Sequence, residues 1–327
     1  MSKNLKLEKC ILDDEWDNFL EKSPDQSIFF SKIYLESINT NLGLYKCLKG
    51  EEVRALVALC EDKNKRNIVA NDLLIYSGIC FGAPTNNQNF PQQISERHNL
   101  TNFIINELVS IYDSLDFQLG PNFNDIRPFQ WHNYNNDVLG RFLVDIRYTS
   151  YLDIGALKNI GSIEAEKFLE NLSSTRRQEI RWSIKNKIET KVSDDIELFI
   201  SFYKRTLAKS DIQVSNQLEK NLSYLVDSLI TLKKAKMYIS LSKNGEPASI
   251  AVIGFDTLRA YYLFGANNPD IRDQRTGTAV LWHAFKELST KGITQIDLEG
   301  VNSPQRGWFK LSFGGKLIPY FHIIYPK

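Results

Sequence analysis

The sequence predicts an α/β protein made of two tandem copies of one mixed α/β unit, packed side by side. Three observations support this prediction. The chain has 327 residues, which is enough for two domains of ordinary size. Strand-like and helix-like segments alternate along the chain instead of separating into all-helical and all-strand regions. The same order of segments occurs in both halves, which is typical of an internal duplication.

The first half contains five predicted segments. A helix-like stretch is followed by two apolar runs around a Gly-Glu turn, which indicates a β-hairpin. An apolar run that ends in Gly and Pro, a helix with amphipathic periodicity and a short strand complete the half. In chain order, these segments are residues 27–38, 45–62, 73–84, 100–115 and 116–123.

The second half repeats this order. Helical patterns precede a strand, an Asn-Gly-Glu turn, a second strand and an aromatic strand that ends in Gly and Pro. A helix and a short strand follow. These segments are residues 199–209, 221–234, 235–255, 259–269, 277–292 and 293–302. We therefore expect two domains, 1–150 and 151–327. Between and after the repeats we expect a strand at 148–154, helices in 164–189 and two aromatic-rich strands in 307–327.

Composition excludes several classes of protein. With 40 Lys and Arg against 39 Asp and Glu, the chain has a formal net charge of +1, which argues against a surface that is basic all over. A local basic patch remains compatible with this balance. The sequence has no secretory signal pattern and no apolar window of about 18 residues, so we expect a cytoplasmic protein without a transmembrane segment.

Cysteine and histidine usage adds two expectations. The four cysteines are far apart and form no C-x-x-C pair; their even number permits a disulfide, but thiols in a reducing compartment are the simpler interpretation. The four histidines lack the spacing of metal ligands, and we expect no metal. The sequence also lacks G-x-S-x-G and P-loop motifs, which disfavours hydrolase and nucleotide-kinase functions.

One loop has a pattern that can hold phosphate. It follows a predicted strand, opens a predicted helix and fits Q/R-x-x-G-x-G/A. Unpaired N–H groups and the positive dipole end of a helix N-terminus bind phosphate, and Gly277 would allow close approach. An ordinary helix start is the alternative explanation. The candidate cofactor-binding residues are Gln274, Arg275, Thr276, Gly277, Thr278 and Ala279.

Two carboxylates lie at the end of a predicted strand. Asp297 and Glu299 are two residues apart, so both side chains are predicted to point to one face. An amine with a pKa of about 10 is mostly protonated at neutral pH, so acyl transfer to it needs a proton acceptor. Either carboxylate is a candidate for that role. The alternative is that they cap turn amides or pair with an arginine.

The order of several motifs resembles the FemABX-type peptidyltransferases and their GNAT-superfamily relatives. The resemblance covers about residues 25–325 and is strongest from residue 174 onward. The loop at 274–279 corresponds to the GNAT pyrophosphate loop, and the FKxxFGG ending is the most specific piece. The motifs are at 174–185, 202–212, 244–255, 261–268, 281–301 and 307–315. The resemblance implies two tandem GNAT-like units and transfer of an acyl or aminoacyl group to an amine.

The resemblance also implies roles for individual residues. Phe309 and Lys310 are implied at the active site, where the lysine would stabilise charge on the transferred carbonyl or on a phosphate. Tyr262 would face the cleft. The alternatives are a solvated lysine, a core tyrosine and, for Arg176, Arg177 and Arg181, a solvated basic helix face. Residues implied to bind the phosphates of a nucleotide-linked acceptor are Lys32, Arg176, Arg177, Arg181 and Lys209, the last of which replaces an arginine found in many relatives.

The predicted function is N-acyl transfer from acyl-CoA to a primary amine of an amino sugar or cell-envelope glycan precursor, by direct attack of the amine. The acceptor is expected to be a small nucleotide-linked or lipid-linked molecule. The FKxxFGG ending favours aminoacyl-tRNA as donor instead. Because tRNA needs a broad basic surface, the even charge balance favours acyl-CoA. A non-catalytic double-GNAT module that binds a glycan or a protein is a further alternative, and the sequence does not specify an oligomeric state.

Overall fold

The computed structural model describes residues 4–85, 87–208, 213–271 and 275–326. The chain divides into two compact units, Met1–Arg147 with Pro319–Lys327, and Tyr148–Ile318. The division after Arg147 lies three residues before the expected boundary. The C-terminal segment from Pro319, which we expected in the second domain, is part of the first unit.

The first unit contains a four-stranded antiparallel sheet with the order β1-β2-β3-β4. The predicted hairpin is present as β2 and β3. Strand β12 (Lys316–Tyr325) returns to this unit and pairs with β5 in antiparallel register. The elements are β1 (Leu5–Lys9), α1 (Asp14–Lys22), α2 (Lys32–Ser37), β2 (Leu42–Lys49), β3 (Glu52–Cys60), β4 (Gly78–Phe81), α3 (Phe90–Ile111), β5 (Leu115–Gln118) and α4 (Arg127–Trp131).

Helix α3 begins ten residues earlier than the periodicity predicted. Asn89 and Gln92 form a reciprocal capping box, and a proline occupies the first turn. These residues satisfy the first N–H groups and preset the helical backbone, which starts the helix before its apolar stripe begins. The C-terminal half of α3 then packs its apolar side chains into the core of the unit. The buried ones are Leu100, Ile104, Ile105 and Leu108.

The second unit contains a mixed sheet with the strand order β6-β11-β10-β9-β8-β7. Only the β10–β11 pair among these neighbours is parallel. The elements are β6 (Leu143–Asp153), α5 (Ile163–Asn171), α6 (Ser174–Lys185), β7 (Thr190–Ser193), α7 (Ile196–Ala208), α8 (Asn216–Thr231), β8 (Ala235–Leu241), β9 (Pro247–Phe255), β10 (Ala260–Asn267), α9 (Thr276–Thr290), β11 (Gln295–Asp297) and α10 (Pro304–Leu311). The mixed α/β class predicted from the sequence is confirmed.

Helix α9 is the central element of the second core. Its apolar side chains, among them Leu281 and Phe285, are buried against the sheet and against Phe313. The helix is thus held on a rigid platform with its N-terminus next to the end of β10. No helix within the described ranges is long and apolar enough to cross a bilayer.

The segment from 307 to 315, predicted as a strand, instead contains the end of helix α10, which stops at Leu311, and the turn that follows it. Pro304 occupies the first turn, where it presets the backbone angle and needs no hydrogen bond. Gly307 is required because a Cβ there would lie 2.3 Å from the carbonyl oxygen of Val301. Of the aromatic residues that suggested a strand, Trp308 and Phe309 lie in this helix and Phe313 in the turn after it. Lys310 is therefore presented by a helix.

Candidate active site

The N-terminus of α9 is the first component of the candidate site. Arg275 is the N-cap residue, but its side chain does not cap the helix. Its guanidinium lies 3.8 Å from the centroid of the Trp182 ring instead. The corresponding helix of the first unit, α3, is closed by its own capping box. The start of α9 is thus better suited than that of α3 to receive a phosphate.

The side chains of this loop are mostly engaged within the second unit. Thr276 is buried, and its hydroxyl lies 2.8 Å from that of Ser249. Thr278 is buried too, and its hydroxyl lies 2.5 Å from Glu179. Ala279 is in the core. A ligand would therefore meet the backbone around Gly277 rather than these side chains; Gln274 lies outside the described residues.

Gly277 lies where the start of α9 approaches α10. A Cβ built on Gly277 would lie 4.0 Å from the Phe309 ring and 3.5 Å from the amide oxygen of Asn267, so the glycine is not forced by crowding. Arg176 contacts the same aromatic ring, with its guanidinium 4.8 Å from the Phe309 ring centroid. The loop, α6 and α10 therefore meet at Phe309.

Arg176 is held by partners within the unit. Its Nη1 lies 2.7 Å from Glu179 Oε2 and donates a short hydrogen bond to the Thr278 hydroxyl. Its Nε has no partner among the described residues. Burial lowers the pKa of the guanidinium. These contacts make Arg176 a link between α6 and α9, and the phosphate-binding role implied for it stays a prediction.

A buried acid and a lysine form the second component. Glu299 is 2% exposed, and its Oε1 has no hydrogen-bond partner in the described part of the chain. Lys310 donates a hydrogen bond of 3.4 Å to the carbonyl of Gly300, and its ammonium lies 5.4 Å from the Tyr262 ring centroid. Residues of α10, β10 and the chain after β11 are thus brought together.

Both ionisable groups have perturbed acidity. Burial raises the pKa of Glu299 well above its usual range, and the positive charge of Lys310 opposes this shift. Burial lowers the pKa of Lys310, opposed by the charges of Glu299 and Asp297. An acid with a raised pKa next to an amine with a lowered pKa is the pattern of a site that exchanges protons near neutral pH.

Asp297 is the third ionisable residue of this cluster. It is fully buried, and its Oδ1 accepts a hydrogen bond from Thr149 and another, of 2.7 Å, from the backbone N–H of Glu299. Strand β11 ends at Asp297, and Glu299 has a left-handed backbone with φ of 55°. The expectation that both carboxylates share one face of a strand is therefore wrong. Asp297 has the geometry of a residue that holds Glu299 in place.

We expect Thr149→Val to reduce the free energy of unfolding by about 1–3 kcal/mol, because it leaves a buried carboxylate with one donor fewer. Urea unfolding followed by circular dichroism measures this loss. Thr149→Ser retains the hydroxyl and should recover most of it. Equal stability of the valine variant and the wild type would show that the Thr149–Asp297 hydrogen bond contributes nothing.

The remaining predicted residues lie outside this cluster or outside the described residues. Lys32 belongs to the first unit, and its ammonium lies 3.5 Å from Asp14. On α6, Arg177 donates to the carbonyl of Glu170, and Arg181 is exposed. Lys209 is not among the described residues. For all of them, phosphate binding stays a prediction.

Two residues of the site, Thr149 and Glu179, were not predicted. Thr149 lies in a predicted strand without any motif, and nothing in the sequence indicates that its hydroxyl would meet Asp297. Glu179 was detectable, because it follows Arg176 at the i,i+3 spacing that brings opposite charges together on a helix. No group of His, Cys, Asp or Glu side chains in the described ranges is arranged to hold a metal ion.

Comparison with known structures identifies the fold. The chain is similar to the crystal structure of FemX, with 12% identity and a TM-score of 0.64, covering 97% of this chain and 96% of that one. It is similar to L-PGS from Bacillus licheniformis, with 12% identity, a TM-score of 0.55 and coverage of 97% and 92%. A tandem GNAT protein from the clavulanic acid biosynthesis pathway matches with 9% identity, a TM-score of 0.52 and coverage of 98% of both chains.

The fold is that of tandem GNAT proteins. Residues 171–306 match the family model described as acetyltransferase (GNAT) domain. That segment includes the α9 loop and Glu299, and it ends before Lys310. The predicted resemblance to FemABX-type double-GNAT proteins is confirmed. No curated protein matches the chain.

Proposed function

We propose that this protein is an N-acyltransferase that moves an acyl group from acyl-CoA to a primary amine, with Glu299 as the proton acceptor. One observation carries the proposal: a buried carboxylate oxygen of Glu299 has no hydrogen-bond partner within the described residues. A buried carboxyl oxygen without a hydrogen-bond donor is costly, and the N–H of an incoming amine would satisfy it.

The reaction needs no covalent enzyme intermediate. The amine nitrogen attacks the thioester carbonyl, the new C–N bond forms, and Glu299 accepts the proton that the amine loses. The ammonium of Lys310 stabilises the negative charge that develops on the carbonyl oxygen. Collapse of the tetrahedral intermediate breaks the C–S bond, and the leaving thiolate is protonated by solvent or by Glu299.

The start of α9 supports acyl-CoA as donor. Its N-cap side chain is turned to Trp182, and the backbone at Gly277 is not crowded, which fits a pyrophosphate at the helix terminus. The acceptor class, an amino sugar or cell-envelope glycan precursor linked to a nucleotide or a lipid, rests on the FemABX resemblance. Lys32 and Lys209 are proposed to contact its phosphates.

Acetyl-CoA at a hundredfold excess over its Kd is expected to stabilise the wild type by about 2.7 kcal/mol. Gly277→Ala should fold at least as well, since its nearest new contact would be 3.5 Å away and alanine favours helix. It should nevertheless lose much of this stabilisation, because the methyl group keeps the pyrophosphate from the backbone. Differential scanning calorimetry measures both effects. Thr290→Ala, at the exposed C-terminal end of α9, is the matched control. An equal shift in both variants would contradict binding at the α9 loop.

A second donor class is favoured by a specific observation on α6. Arg177, Arg181 and Lys185 follow one another at intervals of four residues and therefore share one face of the helix. None of the three forms a salt bridge among the residues that the structure describes. Such an unneutralised stripe suits a polyanion, and aminoacyl-tRNA is the polyanionic donor that the FKxxFGG ending suggested.

If tRNA binds this stripe, replacing all three residues by Gln should lower the slope of log Kd against log salt concentration by about 2–3, since each neutralised phosphate contributes 0.7–0.9. Filter binding of aminoacyl-tRNA over a range of salt concentrations measures the slope. Glutamine replacement of Lys158, Lys167 and Lys191, elsewhere in the same unit, is the control for net charge. An unchanged slope would exclude the stripe as a tRNA site.

A further inference from the structure

A cavity in the first unit is unrelated to the residues of the candidate active site. It has a volume of about 580 Å³, within the range typical of small-molecule sites. It lies between the N-terminal half of α3 and the segment 123–127. Its apolar walls are Phe81, Phe90, Ile94, Phe123 and Ile126.

The sequence of α3 explains how this wall forms. Phe90, Ile94, Arg97 and Thr101 follow at spacings of three or four residues and so share one face of the helix. Phe90 is 72% exposed and Ile94 38% exposed, whereas the C-terminal half of the helix is buried in the core. The apolar stripe of α3 therefore extends beyond the core and lines an open cavity.

Arg97 is the cation of this cavity. Its guanidinium lies 4.8 Å from the ring centroid of Phe81, which itself stacks on Phe123 at 5.5 Å. In the described part of the chain the guanidinium makes one hydrogen bond, a long one of 3.4 Å from Nη2 to its ion-pair partner Asp25. The side chain is 30% exposed. Most of its five N–H donors are thus available to a ligand.

The other charges around the cavity are already neutralised or unfavourable for a second anion. Asp125 accepts two hydrogen bonds from the Arg127 guanidinium, of 2.7 and 2.6 Å, so that pair carries no net charge. Asp25, the ion-pair partner of Arg97, is mostly buried, and burial raises the pKa of its carboxyl while the charge of Arg97 opposes this shift. Arg97 is already ion-paired with Asp25 over 3.4 Å and lies near Asp125, so the donors it still offers favour a ligand with a single negative charge rather than a polyanion.

We propose that the first unit binds a small amphipathic monocarboxylate in this cavity. The carboxylate would bind the guanidinium of Arg97, and the apolar body would lie on Phe81, Ile94 and Ile126. This site goes beyond the proposed acyl transfer and uses no residue of the second unit. It needs no rearrangement of the core, because the cavity and the free donors are present as the chain folds.

The probe is octanoate, with 1-octanol as its uncharged counterpart, in isothermal titration of the full chain. Octanoate is expected to bind saturably at one site, and octanol at least tenfold more weakly, because it lacks the charge-assisted hydrogen bonds. Ile94→Glu places a negative charge at the mouth of the cavity and should weaken octanoate at least tenfold. Ile163→Glu, at a position 67% exposed on α5, is the matched control and should bind like the wild type.

Arg97→Met tests the cation directly and should weaken octanoate at least tenfold. This variant could unfold because Asp25 loses its ion-pair partner. In that case Ile94→Glu still tests the proposal, because residue 94 is partly exposed at the mouth of the cavity and its replacement leaves Asp25 paired. No saturable binding, equal binding of octanol, or unchanged binding by Ile94→Glu would each overturn the proposal. Dimerisation of the chain through this face, if it excludes octanoate, would also overturn the proposal. None of these outcomes depends on transferase activity, so they are distinct from a failure of the proposed function.

Discussion

Glu299→Gln is expected to lower kcat/KM for acyl transfer by about 10²–10⁴-fold, the usual contribution of a general base. Glutamine has nearly the shape of glutamate and cannot accept the proton of the amine. Because its amide retains an oxygen at the position of Oε1, the variant should bind acceptor and remain folded. Steady-state kinetics with a thiol-release assay measure the loss, and calorimetry verifies the fold.

The pH dependence of kcat/KM provides a second test of the role of Glu299. Glu299 must be ionised to act as a base, so the rate should rise with pH through the pKa of Glu299. Burial raises that pKa well above the ordinary value for glutamate. The rising limb of kcat/KM should therefore lie at a higher pH than that of a solvated carboxylate, about 4.3. In the glutamine variant this limb should disappear.

Glu246→Gln is the matched control, since it removes an exposed glutamate from the β8–β9 turn of the same unit. It should leave the rate and its pH profile unchanged. If Glu299→Gln keeps both the rate and the rising limb, Glu299 is not the base. If the wild type transfers nothing from any donor and still binds an amine acceptor, the non-catalytic binding module is the better description.

The sequence predicted those parts of the fold that depend on local pattern. The hairpin of β2 and β3 was visible because apolar runs flank a turn at Gly50, which has a positive φ of 64°. The α9 helix was visible because its apolar residues recur at helical spacing. Periodicity failed for α10, where the aromatic residues Trp308, Phe309 and Phe313 suggested a strand. The proline at the first turn and the tight contact of Gly307 decide in favour of a helix, and only the second of these needs tertiary structure.

The candidate site was predictable as a set of residue types but not as a geometry. Asp297 and Glu299 were found from their position after a strand. Their different roles depend on where β11 ends and on the left-handed backbone at Glu299, which no pattern of a single sequence indicates. Likewise, Arg275 was predicted to bind the cofactor, whereas its guanidinium contacts Trp182, a residue 93 positions away. Long-range pairs of this kind arise from packing, which periodicity does not encode.

Lys310→Met is expected to lower kcat/KM by about 10²–10³-fold, the usual effect of removing one group that stabilises an oxyanion. Methionine retains the length and the apolar stem that passes Tyr262, so the packing of α10 should be preserved. Lys310→Arg retains the positive charge and should retain more of the activity than the methionine variant. Kinetics at saturating donor measure both.

The two site residues are linked by charge, which gives a further test of the Lys310 prediction. The positive charge of Lys310 lowers the pKa of Glu299 and partly offsets the effect of burial. Removing this charge in Lys310→Met should therefore move the rising limb of kcat/KM to higher pH. Conversely, Glu299 raises the pKa of Lys310, so in Glu299→Gln any falling limb that reports the lysine should move to lower pH. If Lys310→Met lowers the rate but leaves the rising limb in place, the charge of Lys310 does not set the pKa of the base, and the proposed coupling between Lys310 and Glu299 is contradicted.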